Sequence, residues 1–138
     1  MDNMISEALV SQQICAEIFR QASFNVFYDD DGDLHVSEPG TLAVMVRINP
    51  RTKLIQLTVI GRFVSHADPA EVALLLNRMN AEISTSRFSC HDIGVFVSDM
   101  KVAYHGWLVA SQLVAVARTL VQSTIAAANQ FDTQGLIQ

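Results

Sequence analysis

Basic residues are scarce in this chain: 9 Lys and Arg stand against 14 Asp and Glu, a formal net charge of −5. A general nucleic-acid binder needs a basic face to neutralise phosphates, so that class is set aside. Charged residues of both signs make up only 17% of the chain, low beside the ~25% usual in globular domains. Cysteine is rare too. Cys15 and Cys90 lie far apart in apolar surroundings, which excludes a disulfide framework and predicts two buried free thiols in a reducing compartment. The six glycines stand singly, so no glycine-rich loop can cradle a phosphate, and no nucleophile elbow is present. Met1–Glu7 has no base and includes Asp2 and Glu7, unlike a secretory signal. The longest apolar stretch, 107–128, carries Arg118 near its centre, which alone costs ~2.5–3.5 kcal/mol on insertion scales. The expectation is a cytoplasmic protein without membrane insertion.

What is present is hydrophobicity, at 50% of residues. A chain of this length forms one domain, here 1–138, and buries roughly 68–70% of its unfolded surface. The apolar surplus predicts a further cover, a homodimer interface.

Periodicity predicts an α+β fold. Met4–Ala22 places Ile5, Leu9, Ile14, Ile18 and Phe19 at mostly helical spacing and reads as a helix. Phe24–Tyr28 and Leu34–Val36 flank the polar loop Asp29–Asp33 as a hairpin. Thr41–Ile48 and Leu54–Val64 alternate as strands around the Asn49–Lys53 turn. Asp68-Pro69-Ala70-Glu71 then supplies an N-cap, a first-turn proline and an acid at the third position. Val72, Leu75, Leu76, Met79 and Ile83 continue it as a helix. Ser84–Ser89 and Ile93–Tyr104 read as strands, Gly106–Asn129 as the last helix, and 130–138 as a frayed tail. The expected order is α-β-β-β-α-β-β-α, an antiparallel sheet of about five strands with helices packed on it.

No catalytic, cofactor or metal site emerges. His35, His66, His91 and His105 are scattered, and neither cysteine lies at a zinc-like interval from them. Cys90-His91 and His91-Asp92 are sequence neighbours whose side chains diverge in an extended segment. An EF-hand register with Gly32 sixth and Glu38 twelfth puts Phe27 at the first ligand position, so the Asp29–Asp33 run reads as a solvated hairpin loop. Charge is also segregated. Residues 28–38 hold five acids and no Lys or Arg, and 39–67 hold four bases and no acid. This describes either two oppositely charged hairpins on one surface or a basic strand face that receives an acidic partner. Met45, Arg47, Ile60 and Arg62 share a predicted strand face as candidate partner-binding residues. Ala70, Leu74, Asn77 and Ala81 form a second stripe on the middle helix as a candidate dimer interface.

Three segments carry a resemblance: Phe27–Val36, Lys53–Phe63, and Leu74–Glu82 with its Asn-x-x-Asn-Ala-Glu run. Over about residues 20–128 they resemble the YbjN-like family, described as bacterial sensory transduction regulators. The order of elements is similar to that of class I type III secretion chaperones, which are small, acidic and dimeric. The resemblance implies the fold. Together with the apolar surplus and the absence of a site, the expectation is a non-enzymatic regulator or adaptor that recognises a protein or peptide partner along a strand edge or sheet face. Two alternatives stand beside it. One is a dedicated secretion chaperone for an effector. The other is a small-molecule sensor with a pocket between the sheet and the last helix near Trp107.

Overall fold

The computed structural model describes residues 3–92 and 94–138. Strand β1 (Met4–Ser6) and a 3₁₀ turn (Glu7–Leu9) precede α1 (Gln12–Gln21). Four strands follow: β2 (Asn25–Tyr28), β3 (Leu34–Ser37), β4 (Val44–Asn49) and β5 (Leu54–Arg62). Then come α2 (Pro69–Glu82), β6 (Arg87–His91), β7 (Val95–Ala103), β8 (Trp107–Val109) and α3 (Ala110–Phe131). The main sheet is antiparallel throughout and ordered β2-β3-β4-β5-β7-β6, with β1 and β8 forming a separate ribbon. The α+β architecture is the expected one. Its sheet has six strands because the short return Leu34–Ser37 pairs on both sides, with β2 and with β4.

Alternation along the strands sorts the two faces. Ile55, Leu57 and Val59 of β5 point towards the helices, beside Val44 and Val46 of β4 and Val102 of β7, and α1 and α3 close over them as the larger core. A smaller core joins Val72, Leu75 and Met79 of α2 to Phe88 of β6, Phe96 of β7 and Ala127 of α3. At Gly61 the Phe96 ring comes within 3.3 Å of where a Cβ would stand, so the strand crosses that core without a side chain. α3 is widely apolar because it serves both clusters, leaving Ser111, Ala115, Arg118 and Gln122 as an exposed line.

Several boundaries differ from expectation, among them the start of β4, at Val44 rather than Thr41. The first helix begins later, at Gln12, because the Ser11 hydroxyl accepts the Ile14 N–H at 3.1 Å and caps it there. Met4–Ser6 instead pairs with Trp107–Val109, setting Ile5 opposite Leu108, which shortens the last helix to start at Ala110. The sixth strand is displaced towards the His91 turn; the start of the seventh at Ile93 lies outside the described residues. The 130–138 segment is no frayed tail. Both carboxylate oxygens of Asp132 accept the Leu136 and Ile137 N–H groups (2.7 and 2.8 Å), Val64 N–H donates to Leu136 O, and Gln138 N–H donates to Arg62 O. Leu136 is buried in the smaller core.

Candidate functional site

The sheet face turned away from the helices contributes nothing to either core, yet its centre is dry. A single row crosses all six strands there: Phe27, His35, Met45, Thr58, Asp99 and Arg87 are paired in register. Met45, Thr58, Asp99 and neighbouring Val97 are each less than a tenth exposed although no helix packs over them. A trough of about 380 Å³ on this face is lined from Asp31 of the β2–β3 loop across to His91 of β6.

Sequence-predicted residues come together in this trough. Met45 lies on its floor, Arg47 on its wall and Ile60, 53% exposed, on its lip. Arg62 shares the face through its pairing with Val95 but lies at the far end, where it lines a different groove. The second predicted stripe is also exposed: Leu74 is 68% accessible, with Ala70, Asn77 and Ala81 around it.

Among the described residues one ion pair, Arg47–Asp33, ties the acidic loop to the basic strands. Arg47 donates through Nη2 to Asp33 Oδ2 at 3.0 Å, and Asp33 raises its pKa further. Asp29 accepts from the Asp31 and Asp33 N–H groups and meets His35 Nε2 at 2.7 Å. The His35 hydrogen bond and the backbone donors hold the Asp29 carboxyl below its ordinary range. His35 in turn stacks flat on Phe27, with centroids 4.8 Å apart. Asp29, Asp31 and Asp33 bring carboxylate oxygens within 4.8 Å of one another, but two of the three are taken up by Arg47 and His35. Across the trough, Asp99 is buried and held by Arg87 Nη2 at 2.8 Å and Gln56 Nε2 at 3.3 Å. Asp99, Arg87, Val97 and Thr58 were not among the expected site residues. Strand alternation placed them on this face, but the sequence offers no sign of which strands lie side by side.

The cysteines differ from each other. Burial pushes the Cys15 thiol up to about 12, whereas Cys90 is exposed and donates to Asp92 O at 3.4 Å. The expectation of two buried thiols fails for Cys90 because it lies at the end of an edge strand. The space between the sheet and α3 is filled by Leu113, Ala117 and Leu120, all fully buried, and Trp107 stands outward on β8. A groove of about 670 Å³ opens elsewhere, between the start of α2 and the ends of β5, β6 and β7, over Phe63, Val64, Val72 and Leu76.

Asn80, in the Asn-x-x-Asn-Ala-Glu run, has a structural task. Its amide donates to Phe88 O (2.8 Å) and accepts from Phe88 N–H (2.9 Å), so α2 clamps the outer side of β6.

The YbjN family profile, described as "Putative bacterial sensory transduction regulator", matches residues 4–134. The chain belongs to the YbjN family. The fold agrees: the crystal structure of E. coli YbjN, titled "a putative transcription regulator", superposes with a TM-score of 0.74 at 11% identity, covering 94% of this chain and 96% of that one. No curated protein matches the sequence. The family's description is that of a bacterial regulator, and among the described residues no helix is long and apolar enough to cross a membrane.

Proposed function

We propose that this YbjN-family chain is a cytoplasmic, non-enzymatic regulatory adaptor that binds a protein or peptide partner on the open face of its sheet. One observation carries the reading: the trough has a buried apolar floor, Met45 and Val97, on a face that contributes to neither hydrophobic core. A floor already desolvated costs little further dehydration when a partner side chain fills it, and a rim of paired charges lends orientation. Arg47 acts as the brace of the acidic loop, so contact with the partner falls to Ile60 and Met45. Affinity capture from the native bacterium tests this with wild type, Ile60→Asp and Thr41→Ala side by side. The expected result is one partner lost only in Ile60→Asp, with its circular dichroism unchanged; a partner retained equally by all three overturns the reading.

A second copy would dock on the exposed α2 stripe around Leu74. Leu74→Arg is then expected to leave stability within ~0.5 kcal/mol while converting a dimer to a monomer in sedimentation. A small-molecule reading is favoured by one observation, the apolar groove beneath α2, whose size falls within the usual ligand range. A saturable thermal shift with one metabolite, lost in Ala73→Trp, would support it.

A further inference from the structure

The two edges of the main sheet are β6 and β2. The first is closed by Asn80. At the second, the hydrogen bond from Asp29 N–H to Asp33 O fixes the phase of the ladder. Antiparallel pairs alternate between bonded and non-bonded, so Phe27 and Asn25 turn their backbone groups inward to β3, and Val26 and Tyr28 turn theirs outward. The Phe24 N–H, one step further along, also turns away from β3 and donates to Phe19 O. Among the described residues, Val26 and Tyr28 have no side-chain or loop partner for these outward groups. Of the usual guards of an exposed edge the strand has shortness alone, carrying neither Lys nor Pro. It does carry two large exposed side chains, Phe27 on the open face and Tyr28 on the other, 48% and 46% accessible.

Charge at this edge has one sign. Of the four acids in 29–33, Asp29 and Asp33 are matched by His35 and Arg47. Asp30 and Asp31 are exposed and, among the described residues, make no ion pair. Arg20, at the end of α1, pairs with Glu17.

We propose that β2 is a docking edge for an extended, basic segment of a partner protein, which adds as a seventh strand beside Val26 and Tyr28. Resting on the binding-module reading above, it names the partner's chemistry: lysine or arginine to meet Asp30 and Asp31, and β-branched residues to lie against Phe27 and Tyr28. Backbone bonds supply affinity, and the acidic loop selects the sign of the ligand.

The probe is a labelled hexapeptide, acetyl-Lys-Val-Arg-Thr-Lys-Val-amide, titrated into the full chain at low salt. The amides of Val26 and Tyr28 are expected to gain protection from hydrogen exchange, and binding is expected to weaken about tenfold in the glutamate-for-base version of the peptide. Asp30→Lys with Asp31→Lys is expected to weaken it about fivefold. Tyr28→Pro, or N-methylation of the peptide at alternate residues, is expected to abolish it; the methylated peptide requires no protein variant and so is independent of folding. Equal binding of the acidic peptide, binding indifferent to N-methylation, or no binding of the basic peptide overturns the proposal. So does a concentration-dependent dimer that Tyr28→Pro dissolves, which assigns the edge to a second copy. Peptide binding that Ile60→Asp removes and N-methylation leaves intact overturns the edge alone and spares the open-face reading.

Discussion

At one margin of the sheet, a side-chain amide from α2 takes both backbone groups of Phe88, and the Phe88 ring is buried beneath it. At the other margin, four residues of β2 end in an acidic loop, with Phe27 and Tyr28 half in solvent. The two strands are similarly short. What separates them is the neighbour: α2 follows β5 and folds back along β6, whereas α1 lies across the helix-side face of β2, β3 and β4 and leaves the outer backbone of β2 uncovered. An edge is closed here by an added helix with one well-placed amide, and an edge without that addition keeps its capacity to pair.

The contrast can be broken most sharply with side-chain deletions. Phe88→Ala is expected to cost about 3–5 kcal/mol, and Tyr28→Ala under about 1 kcal/mol, by urea denaturation. Similar losses at the two positions would show the edges to be equivalent. Asn80→Ala comes next, at about 2 kcal/mol, because two backbone groups lose their partners together. It should also make β6 adhesive, seen as light scattering that rises with concentration. A smaller difference separates the two ion pairs of the open face. Arg87→Ala leaves the buried Asp99 with Gln56 alone and is expected to cost about 1–2 kcal/mol. Arg47→Ala breaks an exposed pair and is expected to cost under about 1 kcal/mol, measured in the same denaturation series.

The smallest effect is in pH. Asp29 has a depressed folded-state pKa, so the stability it lends the β2–β3 loop is fully present above the ordinary carboxylate value of about 3.9 and is lost as pH falls through the lower folded value. The Asp31 and Asp33 amide resonances should therefore hold their positions from pH 7 to about pH 5 and move only below about pH 4. Movement already between pH 7 and about pH 5 would overturn this assignment to Asp29.

Much of this was legible in the sequence. Asp68-Pro69 announced α2, and its N-cap is formed as Asp68 Oδ1 accepts the Ala70 N–H at 3.0 Å. The alternation of β4 and β5 placed Met45, Arg47, Ile60 and Arg62 on one face, which the register bears out. Local pattern failed where a segment's state depends on a distant partner. Met4–Ser6 has helix-compatible spacing, yet its strand state is set by Trp107–Val109, which no local window contains. The trough suffered in the same way. Its floor joins β4 to β7, and nothing short-range shows that β7 rather than β6 lies beside β5. The Asn80 clamp was visible only as an unexplained resemblance, because an exposed asparagine on a helix carries no periodic signal.

The docked C-terminal segment has a consequence for how the molecule breathes. Leu136 closes the smaller core, but only the short stretch from Asp132 to Gln138 holds it there, beside the end of β5 where β4 no longer pairs. Such a segment can peel away as a unit while the larger core remains intact. The amides of Val64 and Gln138 should then exchange far sooner than those at the centre of β5, and a protease should find its first cut near Gly135. The lifetime of the closed form would be governed by this latch, well before global unfolding comes into play.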